Sequence, residues 1–120
     1  MKRDEHNEQV ALINWWSLAH YKFNQPEFIL FAIPNGGNRS AITGKILKSE
    51  GVRAGVPDLF LAVQKGEFNG LFIEMKKEKG GKVSESQRKM ISCLTNNGYK
   101  AAVCNGFLEA VDVIEMYMKQ

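Results

Sequence analysis

Residues 55–76 read GVPDLFLAVQKGEFNGLFIEMK. Two apolar runs, DLFLAV (58–63) and GLFIEMK (70–76), flank QKGEFN, a polar stretch with one glycine. Short runs rich in strand formers, joined this way, predict a β-hairpin with a loop longer than the tight two-residue type. Strand side chains alternate between the two faces of a sheet. Leu71, Ile73 and Met75 therefore share the core side, and Glu74 and Lys76 share the other. Asp58, at the start of the first arm, is expected opposite the end of the second, near Lys76. Diagonal neighbours across a hairpin are roughly 7–8 Å apart at the backbone, so Asp58, Glu74 and Lys76 can converge. Pro57 fixes the backbone where the first arm begins.

The residue types in that cluster point to phosphate chemistry. Two carboxylates beside a lysine suit a hard divalent cation, and Mg²⁺ prefers oxygen ligands. Such an ion polarises a phosphate oxygen and lowers the pKa of an attacking water. Lysine, with an ordinary pKa of about 10.4, is a poor base near neutrality. An electrostatic role against the phosphate suits Lys76 better.

The rest of the chain supplies a sheet and its cover. Residues 5–22 read as a helix with Val10, Ile13 and Trp16 or Leu18 on its apolar stripe, widened by Trp15. FILFAI (28–33) reads as a buried strand, PNGGNRS (34–40) as a loop, and 41–50 as a short helix stopped by Gly51. KEKGGKVS is a basic loop, and Ser84 begins a helix over 85–97. A strand at 99–104 follows, then a helix over 106–119 built on Phe107, Ala110 or Val111, Ile114 and Met118. The order α-β-α-β-β-α-β-α predicts one α/β domain over residues 1–120, a mixed sheet flanked by helices.

Composition excludes several classes. At 120 residues, 44% hydrophobic and 24% charged, the chain can bury a core without staples. Its net charge of +3 permits a polyanionic partner without demanding one. Lysines and arginines concentrate at 39–53 and 76–89, while acids gather at the two ends. Cys93 and Cys104 make no secreted disulfide framework, and both are expected to be buried. His6 and His20 lack zinc-site spacing. The charged start MKRDEHNEQ has no secretory h-region, and FILFAI is too short to span a bilayer. The expected location is cytoplasmic, with no membrane partner.

A wider pattern surrounds the cluster. PD, fifteen residues, then EMK resembles the PD-(D/E)xK nuclease signature. IPNGGNRS, SEGVRAGVPDLFL, LFIEMKKEKGGKVSESQ and GYKAAVCNGFLEAVDVI, in that order, resemble the VRR-NUC family of nucleases over nearly the whole chain. The resemblance implies a restriction-endonuclease-like core and a phosphodiesterase dependent on Mg²⁺ or Mn²⁺. It implies metal ligands at Asp58, Glu74 and the main-chain carbonyl of Met75, with Lys76 beside them. Gln87 matches a glutamine of the helix after the hairpin, yet SESQ (84–87) is also a capping box. A further acid comes from the first helix. Glu5, with Gln9 four residues on, fits the family pattern, and Glu8 is the alternative. The naming triplet is incomplete, since Val52 and Arg53 are followed by Ala54. Asn35, Arg39 and Ser40 look like a substrate-contacting edge, and Lys77 and Lys82 like phosphate contacts.

Stand-alone members of the family occur in phages and bacteria as homodimers that cut four-way DNA junctions. The expected function is thus a metal-dependent DNA endonuclease, acting as a homodimer on branched DNA in a bacterial or phage-infected cell. A nuclease of flaps or duplex without junction selectivity is one alternative. A non-catalytic nucleic-acid-binding module is another, although carboxylates facing phosphate would repel DNA unless a cation intervened. A protein-interaction domain would use Trp15, Trp16 and the last helix as its interface.

Overall fold

The hairpin lies at the centre of the sheet in a computed structural model, which describes residues 4–34 and 41–120. Its paired strands are Leu59–Leu61 (β2) and Leu71–Lys76 (β3). Leu59 lies opposite Ile73, and Leu61 opposite Leu71. Continued by one residue, that register sets Asp58 opposite Glu74, not Lys76. β2 is shorter than the apolar run because Lys65 and Phe68 exchange backbone hydrogen bonds in a small turn of their own, with Gly66 at φ 55°.

The strand Leu30–Ala32 (β1) pairs antiparallel with β2, and Lys100–Asn105 (β4) pairs parallel with β3, giving the order β1-β2-β3-β4. Parallel neighbours need a crossover. Here it contains the helix Glu85–Asn96 (α3). Glu5–Ala19 (α1) and Phe107–Met118 (α4) pack on the face that bears Leu71, Ile73 and Met75. Gln87 of α3 contacts Glu74 and Lys76, so α3 lies on the other face. The helix Ala41–Ser49 (α2) connects β1 to β2. This is the mixed sheet with helical cover that the order of elements implies.

Several details depart from the pattern. Pro26 opens a 3-10 turn at Glu27–Ile29, with Ile29 N–H bonded to Pro26 C=O, so only three residues of FILFAI reach the sheet. α1 ends at Ala19 and continues as a 3-10 turn, His20–Phe23. Its buried line is Glu8, Leu12, Trp16 and Ala19, while Val10 is 42% and Leu18 76% exposed. Four-residue steps run along one side of a helix, and the buried Glu8 hid that line from a purely apolar reading. Trp16 belongs to the core, and its Nε1–H donates to Glu27 C=O at 2.8 Å. Cys104 is buried, but Cys93 is exposed on the outer side of α3. Among the described residues, no helix is long and apolar enough to cross a membrane.

Candidate active site

β2 stops one residue before it would complete its ladder with β3, and Asp58 fills the gap with its side chain. Met75 N–H donates to Asp58 Oδ2 at 2.7 Å. A strand residue presents its N–H and C=O to the same edge. The Met75 carbonyl therefore also opens toward this gap. Glu74 and Lys76 rise beside it on the face opposite the core, yet both are buried, at 2% and 7% exposure.

The first turn of α1 brings the third acid. One oxygen each from Glu5, Asp58 and Glu74 lie within 4.8 Å of one another. Lys76, on the same strand as Glu74, sets a positive charge beside that group, its Nζ 3.5 Å from Glu74 Oε2. Gln87 joins the two. Its Oε1 accepts from Lys76 Nζ at 3.0 Å, and its Nε2 donates to Glu74 Oε2 at 3.1 Å. The same Oε1 accepts from Ser84 N–H at 2.9 Å, and Ser84 Oγ accepts from Gln87 N–H. Gln87 is therefore both the cap of α3 and the bracket of the polar face.

The loop before Asp58 is pressed onto this bracket. Gly55, at φ +90°, leaves so little room that a Cβ would lie 2.4 Å from the Ser86 carbonyl oxygen. Only glycine adopts that backbone freely and fits that gap. The sequence signal was there in GVPD, but nothing in it named α3 as the neighbour.

Burial and crowding raise two of the three acids, Glu74 and Glu5. Burial raises Glu74 to about 8, and the Asp58 charge, its side-chain contact and Glu5 add to the rise, while Lys76 opposes it. Burial likewise raises Glu5, and Asp58 adds to this; Lys76 and Lys77 pull it down. A divalent cation would reverse that penalty by accepting the ionised oxygens. Glu74 Oε1 is buried and has no hydrogen-bond partner among the described residues. A buried carboxylate oxygen of that kind, next to two further carboxylates, fits a hard cation.

Residues 3–108 match the VRR-NUC domain. The chain belongs to the VRR-NUC family, a nuclease family. A solved structure described as a VRR_NUC domain protein is similar to it, with a TM-score of 0.79 and 27% identity. The alignment covers 99% of this chain and 91% of that one. No curated protein sequence matches the chain.

The remaining expected residues of this VRR-NUC chain fall in three places. Lys77 and Lys82 are exposed between β3 and α3, and Lys77 is near enough to act on the charge of Glu5. Asn35, Arg39 and Ser40 lie outside the described residues. Glu8, the alternative to Glu5, points to the start of α4, where its Oε1 accepts from Phe107 N–H at 3.0 Å. A cavity of about 580 Å³ also opens there, lined by Glu8, Glu78, Gly106 and Asp112 among others, and none of Glu5, Asp58, Glu74 or Lys76 lines it.

Proposed function

We propose that this VRR-NUC chain is a DNA endonuclease dependent on Mg²⁺ or Mn²⁺, acting as a homodimer with a preference for four-way junctions. The observation that carries the reading is the convergence of Glu5, Asp58 and Glu74 oxygens within 4.8 Å. Asp58, Glu74 and the Met75 carbonyl would hold the cation, with Glu5 completing the acidic set. When bound, the ion supplies positive charge against a phosphate oxygen and lowers the pKa of the attacking water.

The chain's own groups do the rest. Hydrolysis joins a water oxygen to phosphorus and breaks the P–O bond to one strand end. Lys76, held by Gln87, supplies positive charge where the phosphate becomes more negative. Because Gln87 also grips Glu74, one side chain sets the spacing between the lysine and a cation ligand. The exposed Lys77 and Lys82 are suited to neighbouring phosphates, and Asn35, Arg39 and Ser40 form a further contact edge in this reading. Two symmetric cuts in a junction call for two sites related by a two-fold axis, which a homodimer supplies. The cytoplasm of a bacterial or phage-infected cell is the proposed setting.

The test is incubation of labelled four-way junction, flap and duplex DNA with Mg²⁺, Mn²⁺ or EDTA, mapping cuts on every strand. Paired cuts across the junction are expected with either metal and none in EDTA. Equal cutting of plain duplex overturns the junction preference, and cutting in EDTA overturns the cation. A protein that cuts no substrate overturns the nuclease. Sedimentation at micromolar concentration checks the dimer.

A further inference from the structure

We infer that Glu8 is a positioning residue that sets where α1 delivers Glu5, an inference resting on the cation reading of the cluster. Glu8 is three residues after Glu5, so the two share nearly one side of α1. Their surroundings differ sharply. Glu5 is exposed at the cluster, whereas Glu8 is 3% exposed. A carboxylate is seldom buried so far unless it is bonded.

Its bond reaches the opposite end of the chain. Phe107 N–H, at the first residue of α4, donates to Glu8 Oε1 at 3.0 Å. The residue before it, Gly106, has no side chain to cap the helix, so Glu8 supplies a cap from α1. A negative group also suits the positive end of a helix. Gly106 is shaped for the approach: its φ is +97°, and a Cβ there would lie 3.3 Å from Glu8 Oε2.

The same short turn is tied to the catalytic strand. Gly106 N–H donates to the Lys76 carbonyl at 2.9 Å. Gly106 thus hangs from the end of β3, Phe107 follows it, and Glu8 hangs from Phe107. A path of two hydrogen bonds and one covalent step fixes α1, one turn from Glu5, to the strand that carries Glu74 and Lys76. Asp4 caps α1 itself by accepting Asn7 N–H at 2.8 Å, but that bond is internal to the helix start and sets no distance to the sheet. The Glu8 bond does.

Three variants and one control test this on the full chain. Glu8→Gln keeps an acceptor at the same reach without charge. Glu8→Asp keeps the charge and loses reach. Glu8→Met loses both while keeping much of the volume. Mn²⁺ binding is read by electron paramagnetic resonance, and Phe107 amide exchange by NMR. Glu8→Gln is expected to bind Mn²⁺ like the wild type with Phe107 still protected. Glu8→Asp and Glu8→Met are expected to lose affinity by about tenfold, as is common when a ligand's support is removed, with Phe107 exchanging faster. Unchanged Mn²⁺ affinity in Glu8→Asp and Glu8→Met overturns the inference, leaving only a helix cap. An equal loss in Glu8→Gln overturns it as well, because charge and not reach would then matter. If Glu8→Met fails to fold, Glu8→Asp decides. Glu74→Gln is the control: a wild type that binds no Mn²⁺, or binding that Glu74→Gln leaves intact, fails the cation reading itself.

Discussion

The two faces of β3 are built by the same six residues and obey opposite rules. Leu71, Ile73 and Met75 are fully buried among apolar side chains, where each gains by leaving water. Glu74 and Lys76 are nearly as buried, yet each loses hydration and recovers it only through a few polar contacts. Three acids, Glu5, Asp58 and Glu74, crowd around Lys76 on that second face. One face is therefore optimised for stability. The other crowds carboxylates together, an arrangement that costs free energy when they ionise and that a bound cation would relieve.

Single substitutions on the two faces should separate these rules most sharply. Ile73→Ala deletes core volume and is expected to cost about 2–5 kcal/mol of stability. Its cutting should track the folded fraction. Glu74→Gln is expected to do the reverse: cutting falls at least about 100-fold, more than a supporting group usually costs. Its thermal midpoint at pH 8 should equal or exceed the wild type's, because one of three crowded acids is gone. Thermal melts beside cleavage assays read both. A clearly less stable Glu74→Gln would show that the polar face contributes to folding as the core does.

The next effect is in pH. Glu74 titrates near 4.5 when unperturbed and at about 8 in the folded protein. The native state then holds more protons than the unfolded chain between those values, so stability falls as pH rises through that window. The drop is on the order of a few kcal/mol at about 1.4 kcal/mol per unit. Glu5, raised in the same direction, adds to it with the same sign. Urea melts in EDTA from pH 5 to pH 8 should show this decline in the wild type and a flatter course in Glu74→Gln. Mg²⁺ should flatten the wild-type course too, since it favours the ionised carboxylates. A wild type whose stability matches Glu74→Gln across the window would remove the stored strain from the comparison.

The contrast between the faces also decided what could be read from sequence. Strand side chains alternate between faces, so the core face and the Glu74–Lys76 pair of LFIEMK were both legible, although the apolar Phe72 shares the second face. Asp58 was legible as a partner, but its expected place near Lys76 lies two residues from the observed register, in which Leu59 faces Ile73 and Asp58 therefore faces Glu74. The buried line of α1 was not legible. It contains Glu8, and a charged residue breaks any pattern built on hydropathy. Its hydrogen bond to Phe107, 99 positions away, is a contact that local sequence cannot show. Gly55 was visible as a glycine, but its packing on Ser86 depends on the crossover, which local sequence does not encode.

Gln87 and Ser84 sharpen the comparison at its smallest scale, because they separate a cap from a bridge to Lys76 and Glu74 within one helix turn. Each accepts a backbone hydrogen bond in the capping box, Gln87 from Ser84 and Ser84 from Gln87. Only Gln87 reaches on to Lys76 and Glu74. Gln87→Ala should therefore lose its half of the cap and cut about 10–100-fold more slowly, the range for a group that orients metal ligands. Ser84→Ala should cost about 1 kcal/mol in thermal melts, the usual worth of an N-cap. Its cutting should stay near the wild type's, because Gln87 keeps three partners: the Ser84 backbone, Lys76 and Glu74. If Ser84→Ala slows cutting as much as Gln87→Ala, then holding the helix start, rather than bridging Lys76 to Glu74, is what the polar face takes from α3.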